Sequence, residues 1–246
     1  FVTSTPSVSF EAWAAPLSPK NWQRLFDLGR CVTTFGTGAA TGEILDGPTA
    51  PGATAAYDNL SLTFNNAGNM NSQQLEGQYD GNPAQYTFST AATTAGTRYH
   101  YFFVIEDKPT GCQARWYRNG VLQNSMDFAF HLSSMEDVNN WIGRSMYTGD
   151  SNSHLSLDEL RIYRRAVTPE EILASYEVGP DPEVGPPEPL VPAPVPSRRW
   201  TFNGAGGAAD SGTVFLDEAT GEVATVRGNG ASSNGTELIL PSAATN

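Results

Sequence analysis

The sequence predicts an all-β chain folded as an antiparallel sandwich or jelly roll. Three observations carry this. Short runs alternate apolar and polar residues, the pattern of a half-buried strand. Clusters of Gly, Pro, Asn, Asp and Ser separate those runs at short, regular intervals. Only one stretch, Thr168-Pro169-Glu170-Glu171-Ile172, carries a helix start.

The first alternating run is Val8–Ala14. Arg24–Leu28 and Cys31–Phe35 repeat the pattern around Gly29, and the Gly, Ala, Thr and Pro of Thr37–Ala56 read as loop. Leu60–Phe64, Gln74–Tyr79 and Gln85–Ser89 follow as strands. Arg98–Ile105 is strongly β-prone and is expected at the centre of a sheet. Gln113–Arg118 and Val121–Gln123 flank Asn119-Gly120, a dipeptide that favours the positive φ angles of a type I′ hairpin. Trp141-Ile142-Gly143 and Leu155–Arg164 are later strands. Thr168 then caps a short helix ending near Tyr176, with Pro169 in its first turn and acids at the positive end of its dipole.

Prolines at 180, 182, 186, 187, 189, 192, 194 and 196 make Gly179–Pro196 a polyproline II spacer. Trp200–Asn203, Val223–Arg227 and Glu237–Leu240 are three further strands. About thirteen strands in all would fill two sheets packed face to face.

Composition narrows the function. The formal net charge of −12 and the pI near 4.6 disfavour nucleic acid and anionic membranes as partners. No apolar run is long enough to insert in a membrane. Charged residues are only 16%, and Ser, Thr, Asn, Gly and Ala replace them, as in many secreted proteins. The expected location is extracellular or the cell surface. The first residue is Phe and no signal peptide is visible, which reads as a processed product or an excerpt. Cys31 and Cys112 either form a disulfide, favoured by the extracellular composition, or remain two buried thiols. Asn59-Leu60-Ser61 and Asn234-Gly235-Thr236 are glycosylation triplets, a weak signal.

Several segments then align. Ser9-Phe10-Glu11-Ala12-Trp13, Trp22–Gly29, Trp116-Tyr117-Arg118-Asn119-Gly120, Trp141–Ser145, Leu157-Asp158-Glu159-Leu160-Arg161-Ile162-Tyr163 and Ala166–Ile172 occur in order. Together they resemble the laminin-G-like module of the concanavalin A-like lectin/glucanase superfamily. The resemblance implies a jelly roll of two antiparallel sheets.

Residues 199–240 are similar to that module's opening strands, which normally precede the Phe-Glu-Ala-Trp strand. The implied organisation is therefore 1–177 as a jelly roll lacking its first strands, 178–198 as a linker, and 199–246 as opening strands. Trp200, Phe202, Val226, Leu238 and Leu240 are the donor residues. They would serve the next repeat of an array, a neighbouring copy in trans, or the same chain as a permutation. Neighbouring copies or modules are then expected partners. The superfamily also implies a structural Ca²⁺ near Asp158, with Asp210 as a second ligand; Asp158 bonded to backbone amides is the other reading.

For catalysis, glucanases of this fold use closely spaced glutamates on one strand, and no such strand occurs. Asp158 and Glu159 lie on opposite faces, and Glu170 and Glu171 diverge on a helix. His100, His131 and His154 form no triad by spacing, and His100 reads as a core or sheet-face residue. The tryptophans read mostly as core. Tyr147, Asp150, Asn152 and His154, in the polar loop Met146–His154, could contribute to a sugar site. The expectation is a non-catalytic extracellular structural or adhesive module forming arrays or head-to-tail fibres by strand complementation. The alternative is a lectin-like carbohydrate-binding module, and a glycoside-active enzyme is disfavoured.

Overall fold

A computed structural model describes residues 4–18, 20–31, 57–64, 73–79, 85–89, 91–135, 139–145, 150–180, 194–218, 220–227 and 230–241. Its strands are β1 (Ser7–Pro16), β2 (Arg24–Cys31), β3 (Tyr57–Thr63), β4 (Gln73–Gln78), β5 (Gln85–Ser89), β6 (Tyr99–Lys108), β7 (Gly111–Arg118), β8 (Val121–Phe128), β9 (Asn139–Ile142) and β10 (Leu155–Tyr163). Helix α1 (Pro169–Val178) follows, then β11 (Arg198–Thr201), β12 (Gly207–Ala209), β13 (Val214–Leu216), β14 (Val223–Thr225), β15 (Ala231–Ser233) and β16 (Leu238–Leu240).

Among the described residues these strands make two main sheets. The large sheet runs β12-β15-β16-β10-β1-β6-β7-β8, with β11 also on β10. The small sheet runs β5-β4-β3-β2-β9, and β13 and β14 form a separate hairpin. All pairings are antiparallel. The architecture is the two-sheet sandwich expected.

Alternation puts one face of each sheet inward. Phe26, Leu28, Leu60, Leu62 and Leu75 of the small sheet meet Phe10, Ala12, Phe103 and Trp116 of the large one. Phe26 bridges them, its ring 5.3 Å from Phe10 and 5.0 Å from Phe103. Each such side chain contributes roughly 1.5–3 kcal/mol by leaving water. Gly77 is required here, because a Cβ would lie 2.6 Å from the Phe128 ring.

β6 reads as a continuous apolar run because both its faces are covered. Tyr101, Phe103 and Ile105 enter the sandwich core, while Phe102 and Val104 join Tyr117, Tyr163, Val167 and Ile172 beneath α1. The predicted turn at Asn119-Gly120 is present, with φ of 53° and 74°. The helix starts as its sequence dictates: Thr168 and Glu171 form a capping box, with Pro169 in the first turn.

The C-terminal strands pair with β10 of the same chain. β16 takes Leu155–Leu157 and β11 takes Glu159–Ile162. Phe202 and Leu238 are buried in the main core, and Trp200, Val226 and Leu240 pack against it half-exposed. Residues 181–193 of the linker lie outside the described residues, as do Tyr147 and the stretch 32–56 after Cys31.

Candidate functional site: the outward face of the small sheet

The face of the small sheet turned away from the core is polar, and its register aligns it into rows. In the middle row Trp141, Asp27, Ser61, Glu76 and Tyr86 stand opposite one another across all five strands. That row spans about 19 Å at the usual strand spacing. One flanking row is Arg24, Thr63, Gln74 and Phe88; the other is Gly29, Asn59 and Gln78.

Asp27, Asn59, Ser61, Thr63, Gln74, Glu76 and Gln78 form a floor in which every residue is 9% exposed or less. The rim is open: Tyr86 and Phe88 are exposed on β5, their rings 5.3 Å apart. At the opposite edge Trp141 is half-buried beneath the Arg144 guanidinium, 4.2 Å from its ring.

Part of the floor is tied down. Arg24 donates to Thr63 Oγ1 at 2.9 Å and to the Trp22 carbonyl at 3.1 Å. It also pairs with Asp27 at 3.5 Å and Asp150 at 3.0 Å. Burial pushes the Asp150 carboxyl up, against the opposing pull of Arg24 and the Ser145 hydroxyl. Gln74 donates to Glu76 at 2.7 Å. The centre differs: both amide atoms of Asn59 and the hydroxyl of Ser61 are buried with no hydrogen-bond partner. Beside them Gly29 has φ +133°, and a Cβ there would lie 1.8 Å from the Asp58 carbonyl oxygen. Glycine keeps that backbone approach open and leaves the floor low next to Asn59.

The outward face of the large sheet is built round a charged network instead, with His100 Nδ1 and Trp13 Nε1 buried beside it without partners. Glu11 accepts from His100 Nε2 at 3.0 Å, Arg161 at 3.1 Å, Ser175 Oγ at 2.6 Å and the Tyr163 hydroxyl. Burial alone would push the Glu11 carboxyl up. The hydrogen bond from His100 and the charge of Arg161 outweigh it and hold the carboxyl at about 2. Arg161 also binds Glu159, which binds Arg199 of the C-terminal segment. This is a packing network under α1, and it places His100 on a sheet face.

The residues singled out from sequence are dispersed. Asp158 pairs with Arg98 at 2.7 Å, and the same guanidinium reaches Glu237. The Asp210 carboxylate accepts from the Gly230 amide at 3.4 Å. No group of three or more His, Cys, Asp or Glu able to hold a metal occurs among the described residues. Calcium takes six to eight oxygens, and a cationic side chain already sits against Asp158, so these residues do not fit the ion as arranged. Cys112 is a free, buried thiol, pushed up to about 12 first by burial. The Cys31 side chain lies outside the described residues.

Asn59 is buried on β3, whereas Asn234 is exposed in the β15–β16 turn. His131 precedes a 3₁₀ turn and His154 contacts Ser18. Of the Met146–His154 loop, Asp150 reaches the floor through Arg24, and Asn152 is half-buried with an unpartnered carbonyl oxygen. Trp116 is core, but Trp141 lies on the outward face, a correction to the reading of tryptophans as core. Sequence reasoning missed Asp27, Asn59 as a site residue, Ser61 and Glu76. The alternation of β2, β3 and β4 was the available signal.

A family model, Laminin_G_3, described as the concanavalin A-like lectin/glucanases superfamily, matches residues 2–173. The chain belongs to this superfamily. No curated protein matches it. Among solved structures, a candidate carbohydrate-binding protein from Bacteroides ovatus is 16% identical with a TM-score of 0.50, covering 92% of this chain and 55% of that one. The chain thus spans about half the length of that relative. The CBM40 of the Ruminococcus gnavus IT-sialidase, bound to α2,6-sialyllactose, is 18% identical with a TM-score of 0.45, covering 70% of this chain and 84% of that one. A SAP-like pentraxin from Limulus polyphemus is 12% identical with a TM-score of 0.45, covering 91% of this chain and 84% of that one. At these identities the likeness is one of fold.

Proposed function

We propose that the chain is a non-catalytic carbohydrate-binding module working outside the cell, with its site on the outward face of the small sheet. One observation carries this reading. Asn59 and Ser61, at the centre of a buried polar floor, have hydrogen-bonding atoms without partners. A buried polar atom left unpaired costs roughly 1–3 kcal/mol. Sugar hydroxyls donate and accept, so they match an amide and a hydroxyl together. The exposed aromatic rim at Tyr86 and Phe88 supplies flat apolar surface for the C–H face of a sugar ring, and Trp141 beneath Arg144 closes the opposite edge. Superfamily membership supports the same reading.

The electrostatics favour a neutral glycan. Arg24, in the floor, is already paired with Asp27 and Asp150. Asp27 and Glu76, bonded to Arg24 and Gln74, put negative charge on either side of Ser61. A carboxylated sugar would meet these acids without a floor cation to spare.

The test is a panel of immobilised glycans probed with wild type, Asn59→Leu and Ser61→Ala. Saturable binding to neutral oligosaccharides is expected, lost in both variants while the melting temperature holds. Binding that survives both substitutions would place the site elsewhere. Release of sugar from a bound glycan, abolished in Glu76→Gln, would make the chain an enzyme and overturn the non-catalytic part.

A further inference from the structure

We propose that Asn234, in the turn between β15 and β16, is a self-modification site. The backbone amide of Gly235 displaces the side-chain nitrogen as ammonia, and water then leaves aspartate or isoaspartate in place of the asparagine. The proposal is independent of the sugar site.

Glycine after asparagine leaves the attacking nitrogen unhindered, because it has no Cβ. Three such pairs lie wholly among the described residues: Asn119-Gly120, Asn203-Gly204 and Asn234-Gly235. Their surroundings separate them. Asn119 is half-buried, and its side-chain oxygen accepts from the His100 backbone amide at 3.0 Å, which ties it to β6. The Gly204 amide, the nucleophile after Asn203, donates to the Gly235 carbonyl at 2.9 Å. Asn234 is exposed, and its Oδ1 accepts from the Thr236 amide at 2.9 Å, the Thr236 hydroxyl at 3.0 Å and the Glu237 amide at 2.8 Å. Donors gathered on one carbonyl oxygen polarise it and stabilise the charge it gains under attack. The Gly235 amide donates to the Ser233 hydroxyl at 3.1 Å, so the group where its proton must leave can both accept and donate. Glu237 Oε2 accepts from Asn234 Nδ2 at 3.1 Å and orients the departing nitrogen.

The atoms balance without an oxidant or an enzyme. The Gly235 nitrogen bonds to Asn234 Cγ, the Cγ–Nδ2 bond breaks, and Nδ2 departs as ammonia carrying the proton that Gly235 gives up. Water then opens the cyclic imide at one carbonyl or the other, giving aspartate or a backbone lengthened by a methylene. The product changes the junction between β16 and β10. A neutral amide that donates to Glu237 becomes a carboxylate beside it, and Glu237 already shares the Arg98 guanidinium with Asp158. Like charges so close repel. The turn is closed by the Asn234 amide on the Glu237 carbonyl at 3.1 Å, and beyond it β16 pairs with Leu155–Leu157 and buries Leu238. Modification therefore loosens β16 from the large sheet.

The experiment holds the full chain in mildly alkaline buffer, folded and in urea, and maps its peptides by mass over time. In the folded chain Asn234 is expected to convert several-fold faster than Asn119 and Asn203, with isoaspartate among the products. In urea the three sites, each followed by glycine, should converge. Thr236→Val removes the hydroxyl donor at an exposed residue and should slow Asn234 several-fold, and Thr236→Ser should restore the rate. Asn234→Asp should lower the melting temperature by a few degrees. A folded chain in which Asn234 converts no faster than the other two would overturn the proposal. So would a Thr236→Val rate equal to that of wild type, or an advantage of Asn234 that persists in urea. An Asn234→Asp variant as stable as wild type would overturn the loosening of β16.

Discussion

Both sheets bury polar groups on their outward faces, but they treat them differently. On the large sheet Glu11 gathers four donors from β6, β10 and α1, and the unpartnered atoms beside it are two ring nitrogens, His100 Nδ1 and Trp13 Nε1. On the small sheet Arg24 and its acids are paired, while Asn59 and Ser61 keep unfilled hydrogen-bonding capacity. A satisfied network stabilises and specifies a fold, and an unsatisfied one is a standing cost that a ligand can remove. The contrast separates residues that hold the sandwich from residues that await a partner.

The largest effect should come from breaking the charged network. Glu11→Ala leaves Arg161 charged and buried beneath α1, and loss of one partner of such a pair costs about 3–5 kcal/mol. Urea denaturation should show it as a lowered midpoint, with any glycan affinity of the remaining folded protein unchanged. A midpoint within error of wild type would mean that the network contributes nothing net.

Protonation probes the same face. The Glu11 carboxyl sits at about 2 in the folded chain against an ordinary 4.5. Its stabilising contribution is therefore complete above pH 4.5 and is lost as pH falls toward 2, amounting to on the order of 3 kcal/mol. The stability gap between wild type and Glu11→Gln should narrow across that window. A gap constant from about pH 7 down to about pH 2 would contradict the assignment.

Substitution at the unsatisfied face should behave in the opposite way. Asn59→Leu removes two unpartnered polar atoms in a similar volume. Stability should hold or rise by about 1 kcal/mol, while glycan affinity falls at least roughly tenfold, the equivalent of about 1.4 kcal/mol. A large loss of stability in this variant would show that Asn59 holds the sheet together.

How much of this was legible in the sequence follows from sequence distance. The Asn119-Gly120 turn and the Thr168 capping box are settled within four residues, and both were readable. Most strands of five or more residues announced themselves by alternation. β12, β13 and β15, of three residues each, are too short for a period to show. The Glu11–His100 contact joins residues 89 apart. The middle row of the small sheet needs five strands in register, so Asp27, Ser61 and Glu76 each looked like an ordinary outward residue of its own strand. Local pattern supplied the C-terminal strands and family resemblance their likeness to opening strands; their pairing with β10 appears only in the structure.

The smallest expected effect belongs to the rim. Tyr86 is 53% exposed on β5, and its ring meets only the edge of the proposed site beside Phe88. An aromatic contact of this kind is worth about 0.5–1.5 kcal/mol, so Tyr86→Ala should weaken glycan binding by roughly two- to tenfold and leave stability nearly untouched. Val121, 62% exposed at the start of β8 in the large sheet, is the matched control. Val121→Ala removes comparably exposed apolar surface away from the small sheet's outward face and should leave affinity unchanged. Equal losses from both substitutions, measured by titration calorimetry against the same oligosaccharide, would mean that surface hydrophobicity in general drives the binding. The distinction between the two faces would then lose its functional meaning.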